Sequence, residues 1–160
     1  MQTFLSEPTI RECAEALDSK RLNKQILEAY QILNVLSGNS PTGGWRNHPA
    51  VLMWKGHEYS LRTYAHTMIA EARFRGIKVD KNESNINDLE SRFSHVWGES
   101  MPRWFSRPER DRIMITHRAN LYRKDPIYYA HYASSVIHEL NKPCCDKCQY
   151  YWVTHKEKNV

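Results

Sequence analysis

The sequence contains no run of about 18 apolar residues, which is the length that a membrane-spanning helix requires. Its N-terminal stretch, MQTFLSEPTIRECAE, has neither a basic leader nor an apolar segment of the kind found in signal peptides. From these two absences we expect a cytoplasmic protein that has no membrane partner.

Strict alternation of apolar and polar residues, the pattern of a half-buried strand, is also missing, and so are internal repeats. A length of 160 residues suits one domain. We therefore predict an all-α fold, a compact single domain of three principal helices with an extended N-terminal segment and an aromatic C-terminal region. The domain is expected to cover residues 1–135, and residues 136–160 would form a C-terminal extension.

Cysteine is scarce, with 4 residues, and three of them cluster near the C-terminus at Cys144, Cys145 and Cys148. The C-x-x-C spacing with a nearby His138 or His155 fits a tetrahedral structural zinc site. The alternative is a set of reduced thiols, since a disulfide framework is not expected in a cytosolic domain. Both interpretations stay open at this point.

The strongest helical pattern covers residues 18–36, where Leu22, Ile26 and Leu33 share one stripe and Asp18 can act as the N-cap. The rest of the chain predicts further segments by the same reasoning. One helix starts at about Thr9 and runs nearly continuously into the central one, and a second helix covers 49–75 and is broken or bent near Gly56. A polar connection follows over 77–92, with a short helical turn around 86–93. A third helix covers about 108–124, and a helix or partial helix covers 127–140.

Basic residues outnumber acidic ones by 23 to 18, which gives a net charge of +5 and favours polyanionic partners. On the central helix, the single carboxylate of Glu28 lies beside Lys20, Arg21 and Lys24. This pattern is typical of a solvated face with a pair between Lys24 and Glu28. It also fits a catalytic carboxylate within an anion-binding surface.

The tripeptide Arg46-Asn47-His48 precedes Pro49, which suits the first turn of a helix. One interpretation is a helix cap with a surface cation. The other is an anion site, because the backbone N–H groups at a helix N-terminus favour phosphate and these three side chains add donors.

With these elements in place, the chain resembles the phage endonuclease V family of small all-helical pyrimidine-dimer DNA glycosylases. Arg21-Leu22 is similar to a step in that family's first long helix, and Glu28 then falls on its catalytic glutamate. Further similarity covers the stretch from Pro49 through Gly56-His57 to Arg75-Gly76, the stretch Ile113 to His117, and the tyrosines Tyr128, Tyr129 and Tyr132.

The resemblance implies a monomeric enzyme that acts on double-stranded DNA at a damaged or modified pyrimidine, with an associated abasic-site lyase step. Its N-terminal amine would attack the sugar and Glu28 would assist, with no cofactor required. Because the bulky Gln2 disfavours removal of Met1, both residues are candidates for the catalytic amine.

DNA contacts are predicted on two grounds. The resemblance implies them for Arg21, His57, Arg118, Arg123, Tyr128, Tyr129 and Tyr132, and the charge pattern adds Lys20, Lys24, Arg46, Asn47 and His48.

Two other functions remain open at this point. A non-catalytic module could bind nucleic acid or nucleotides through Lys20, Arg21, Lys24, Arg46 and His48, with salt-dependent affinity and no product. Alternatively, an enzyme of the same fold could act on the N-glycosidic bond of a nucleoside or nucleotide, with residues 45–48 as its substrate pocket.

Overall fold

The computed structural model describes residues 1–106, 108–140 and 150–154, without the side chains of residues 137–140. Within these ranges the chain is all-helical, with seven α-helices and no strand. The helices are α1 (Ile10–Ala16), α2 (Ser19–Leu36), α3 (Pro49–Trp54), α4 (Glu58–Phe74), α5 (Asp80–Phe93), α6 (Glu109–Lys124) and α7 (Ala133–Leu140). Short 3-10 helices cover Ser94–Val96, Arg103–Phe105 and Ala130–Tyr132.

The core forms around α2 and α4, which pack along their lengths, with α1 against α4 and α5 against α2. Leu22, Ile26 and Leu33 of α2 are fully buried there, which confirms the apolar stripe predicted for the central helix. Helices α6 and α7 pack together and close another side of the core through Ile113 and Leu121.

The boundary between α1 and α2 is sharper than the predicted near-continuous helix. Leu17 adopts an extended conformation with ψ of 140°, which ends α1. Asp18 then caps α2, since its carboxylate accepts the backbone N–H of Arg21 at 3.0 Å. The predicted N-cap is confirmed, and this cap is the physical reason for the break.

The predicted break in the second helix is confirmed at Gly56, which has a φ of +84°. Helix α3 ends at Trp54 and α4 begins at Glu58 on either side of it. A side chain would strain this left-handed conformation, so glycine suits the position.

The connection predicted over 77–92 was wrong in its extent, because α5 covers the whole of Asp80–Phe93. Its inward face consists of Ile86 and Leu89, both buried. Two apolar residues three positions apart are too few to give a clear periodic signal in a polar stretch, although they are enough to attach the helix to the core.

The third predicted helix is confirmed as α6, and the partial helix after it consists of the 3-10 turn and α7. The described residues do not include Cys144, Cys145, Cys148 or His155. The predicted zinc site therefore falls outside the described part of the chain. Among the helices described, none is both long enough and apolar enough to cross a membrane.

Candidate active site

The N-terminal segment crosses the core in an extended conformation, and side chains of α2 hold its backbone. The backbone N–H of Gln2 donates to Glu28 Oε2 at 2.5 Å, and that of Phe4 donates to Gln25 Oε1 at 2.8 Å. Gln25 and Glu28 are buried, although both are polar. Such groups are costly to bury without partners, so these bonds fix the position of the N-terminus against α2.

The side chains of His117 on α6 and Tyr64 on α4 also hold the N-terminal segment. The backbone N–H of Leu5 donates to Nδ1 of the fully buried His117 on α6 at 2.8 Å. The hydroxyl of Tyr64 on α4 contacts Gln25 Oε1 at 2.7 Å and the carbonyl oxygen of Phe4 at 3.0 Å. The N-terminus is thus clamped by α2, α4 and α6 together.

A cavity of about 370 Å³ opens beside this segment, and we call it the N-terminal cleft. Met1 and Glu28 both line it, so the structure brings the chain terminus and the carboxylate to one site. The other lining residues are Gln2, Phe4, Lys20, Arg21, Lys24, Gln25, Lys124 and Tyr150.

The cleft is basic, since it carries Lys20, Lys24 and Lys124 as well as Arg21. Lys24 Nζ lies 3.6 Å from Glu28 Oε1, which is the predicted pair on the helix surface. Glu28 is nevertheless only 7% exposed, whereas Lys24 is largely solvated. The carboxylate therefore lies within a cationic site and does not belong to an ordinary solvated face.

Arg21 is anchored at the cleft edge by Asp18. Its Nη1 donates to Asp18 Oδ2 at 2.8 Å, and its guanidinium lies over the Tyr129 ring at 5.6 Å. The Tyr129 hydroxyl donates to the same carboxylate at 2.5 Å, and its side chain is 0% exposed. Burial, followed by the hydrogen bond to Asp18, raises the pKa of Tyr129, which keeps the phenol protonated.

His48 is the N-cap of α3, because its Nδ1 accepts the backbone N–H of Ala50 at 3.1 Å. Burial, followed by the positive charge of the N-terminal amine, lowers the pKa of His48, while Glu28 acts in the opposite direction. The amine, His48 and Glu28 therefore interact electrostatically in one neighbourhood. The adjacent Arg46 and Asn47 are exposed and do not line the N-terminal cleft.

The other residues that were predicted to contact DNA do not line the N-terminal cleft. His57 Nδ1 lies 2.8 Å from the carbonyl oxygen of Ser100, away from the cleft lining. Arg118 Nε donates to the carbonyl oxygen of Ser6 at 2.6 Å, which holds the N-terminal segment. Arg123 is exposed and is next in sequence to the cleft residue Lys124. Tyr128 is half-exposed. Tyr132 is buried, and its hydroxyl donates to Glu7.

Four cleft residues were not among the sequence predictions: Phe4, Gln25, Lys124 and Tyr150. Gln25 gave a weak signal, as a polar residue one turn before Glu28 on the same helix. Lys124 and Tyr150 lie more than 90 positions along the chain from Glu28, so periodicity could not have placed them in this cleft.

The described chain is thus an all-helical domain that holds its N-terminal segment beside a buried carboxylate in a basic cleft. The family model described as pyrimidine dimer DNA glycosylase matches residues 1–85, more than half of the chain, and the protein belongs to this family. Neither the curated proteins nor the solved structures gave a match to the chain.

The matched region contains the N-terminal segment, α1 to α4 and the beginning of α5. It therefore includes Met1, Gln2, Gln25 and Glu28. Family membership makes the protein a DNA repair glycosylase whose substrate is DNA. Lys124 and Tyr150, which complete the cleft, lie beyond the matched region.

Proposed function

We propose that this glycosylase excises a damaged or modified pyrimidine from double-stranded DNA through its N-terminal amine and Glu28, and that it also cleaves the resulting abasic site. The observation that carries the proposal is the 2.5 Å hydrogen bond from the Gln2 backbone nitrogen to Glu28 Oε2. This bond supports the proposal, because a terminus and a carboxylate that are so close together could act on one sugar.

In the first step, the neutral amine donates its electron pair to C1′ of the nucleotide. The N-glycosidic bond breaks, and the base leaves with the bonding electrons and takes up a proton. The C1′–O4′ bond then breaks, the ring oxygen keeps the bonding electrons and takes up a proton, and loss of the remaining proton from nitrogen gives an imine. The carboxylate of Glu28 stabilises the positive charge on the sugar and accepts the proton.

The lyase step starts from this imine. A proton leaves C2′, and the 3′ phosphate departs with the electrons of its C–O bond, which is a β-elimination. Water then hydrolyses the imine and frees the amine. Lys20, Lys24 and Lys124 would hold the phosphates on either side of the sugar, because cations at a cleft edge position the DNA backbone.

Two forms of the N-terminus are compatible with this chemistry. If Met1 is retained, its amine is the nucleophile of a residue that lines the cleft with Glu28. If Met1 is removed, the nitrogen of Gln2 becomes the amine, already beside Glu28. We propose retention, because a bulky second residue disfavours removal of the initiator methionine.

Borohydride trapping tests the proposal. The purified protein is incubated with duplex oligonucleotides that carry an abasic site or a pyrimidine dimer, reduced, and analysed by intact mass and peptide mapping. We expect a covalent adduct on the N-terminal peptide, with the mass of the Met1 form. Tight, salt-dependent binding without an adduct on either substrate would contradict amine catalysis and favour the non-catalytic binding module.

A further inference from the structure

Residues 150–154 lie beyond the region that matches the family, and they bring Tyr150 to the N-terminal cleft. The residue after Tyr150 attaches this segment to α6. The backbone N–H of Tyr151 donates to Thr116 Oγ1 at 3.2 Å, and the Arg112 guanidinium lies over the Tyr151 ring at 4.0 Å. These contacts hold the segment, and Tyr150 with it, beside the cleft.

The ring of Tyr150 packs against the N-terminal segment and against the histidine that holds that segment. Its centroid lies 6.1 Å from the ring centroid of Phe4 and 5.5 Å from that of His117, and both pairs have edge-to-face geometry. Such pairs stabilise a ring in one orientation in addition to the burial of its area. Tyr150 is therefore positioned by the same groups that position the chain terminus.

The hydroxyl of Tyr150 lies in the electrostatic neighbourhood of Gln2 and Glu28. Burial raises the pKa of the phenol to about 12, the Gln2 side chain opposes this rise, and the charge of Glu28 adds to it. A phenol with this pKa is protonated at physiological pH and can donate a hydrogen bond. Among the described residues that line the cleft, Tyr150 is the only one with a hydroxyl group.

In the proposed reaction, opening of the sugar ring puts negative charge on the ring oxygen O4′, because O4′ keeps the electrons of the C1′–O4′ bond. The lysines of the cleft are assigned to the phosphates, and Glu28 is assigned to the positive charge on the sugar. Neither assignment provides O4′ with a donor. A hydrogen bond to an atom that gains negative charge lowers the barrier, and a donor that is already in place costs no reorganisation.

We infer that Tyr150 is a further catalytic residue, whose hydroxyl donates a hydrogen bond to O4′ of the target deoxyribose while the C1′–O4′ bond breaks. The amine nitrogen supplies the electron pair that forms the double bond to C1′, and the pair of the broken bond stays on O4′. O4′ then takes up a proton from water, so that the phenol is unchanged at the end. This inference rests on the proposed function, since it requires an amine attached to C1′.

The test compares Tyr150→Phe with the wild type on a duplex that carries a natural abasic site. The rate of borohydride-trapped adduct formation is measured in a single turnover at saturating protein. We expect this rate to fall by about 10²- to 10³-fold, the usual loss when one donor to a developing oxyanion is removed. Affinity for a duplex with a tetrahydrofuran analogue, which forms no imine, should stay within about twofold, because the hydrogen bond acts on the transition state and the ring contacts remain.

Tyr59→Phe is the matched control. Tyr59 is partly buried, and its ring also packs edge-to-face, on Trp97 and outside the cleft lining. This variant should form the adduct at the wild-type rate.

Three results would overturn the inference while the proposed function stands. The first is a wild-type rate of adduct formation by Tyr150→Phe. The second is a loss of affinity as large as the loss of rate, which would give Tyr150 a role in binding alone. The third is a normal rate of adduct formation with slow strand cleavage, which would place the hydroxyl in the elimination step. If the wild type itself forms no adduct, the proposed function fails.

Discussion

The backbone N–H of Gln2 donates a hydrogen bond to Oε2 of Glu28 at 2.5 Å, across 26 positions of sequence. A buried carboxylate with this partner is held in one orientation, and it faces the cleft that Met1 also lines. A structural role and a catalytic role for Glu28 differ in what they predict for an isosteric amide, which keeps one acceptor oxygen but can neither hold the negative charge nor accept a proton.

We expect Glu28→Gln to fold and to bind DNA at least as tightly as the wild type, because it removes a negative charge from a basic cleft. Strand cleavage should fall by about 10²- to 10⁴-fold, the usual contribution of a positioned acid or base. Cleavage of an abasic duplex by gel assay measures the effect. Glu99→Gln removes the same charge from an exposed position and should cleave normally; normal cleavage by Glu28→Gln would remove Glu28 from the mechanism.

Lys124 ends α6 and lines the N-terminal cleft together with the cations of α2. If it contacts one phosphate, Lys124→Ala should reduce the slope of log Kobs against log salt concentration by about 0.9 and weaken binding to every duplex alike. Fluorescence anisotropy over a salt series gives the slope. Lys81→Ala, an exposed lysine on α5, serves as the control, and an equal slope for the two variants would place Lys124 off the DNA path.

Tyr129 was predicted to contact DNA, yet its side chain is buried and its hydroxyl donates to Asp18 at the start of α2. Tyr129→Phe leaves that carboxylate without one donor, so we expect a loss of about 1–3 kcal/mol in the free energy of unfolding. Urea denaturation measures it. Tyr128→Phe, at a half-exposed neighbour, should change stability by less than about 0.5 kcal/mol. If Tyr129→Phe weakened DNA binding without a loss of stability, the predicted contact between Tyr129 and DNA would be supported instead.

Local signals in the sequence were enough for most helices, because caps, breaks and apolar stripes act over a few residues. The Asp18 cap, the break at Gly56 and the stripe of α2 all follow from such signals. The full extent of α5 could not be predicted from such signals, because only Ile86 and Leu89 of its residues are buried. A helix that relies on tertiary packing leaves little trace in its own sequence.

For the candidate active site as well, the sequence predicted what depends on a single helix and missed what depends on tertiary packing. The projection of α2 placed Glu28 beside Lys20 and Lys24, because all three lie on one helix. Nothing local indicated that Tyr129 would be buried, since tyrosines in such a run suit either a core or a DNA surface. The place of Tyr150 in the cleft depends on how the chain returns across α6, which sequence spacing does not encode.

His117, which holds the N-terminal segment, should make the stability of the folded protein depend on pH. Burial, followed by the charge of Arg110, lowers the pKa of His117 from 6.5 to about 3. The unfolded chain binds this proton below pH 6.5 and the folded protein does not, so the stability contribution is complete above pH 6.5 and is lost as the pH falls toward 3. For this residue alone, the free energy of unfolding should decrease by about 1.4 kcal/mol per pH unit between pH 6 and pH 4.

His117→Asn keeps an acceptor near the backbone N–H of Leu5 but does not titrate. It should therefore be less stable than the wild type at pH 7, because a smaller side chain fills the site, while its stability should fall less steeply with acid, by about 1.4 kcal/mol per pH unit. Urea denaturation at pH 7, 6, 5 and 4 gives both slopes. His95→Asn removes an exposed histidine and should keep the wild-type slope. Parallel acid slopes for the wild type and His117→Asn would mean that His117 takes up its proton as readily in the folded protein as in the unfolded chain, which would contradict its lowered pKa.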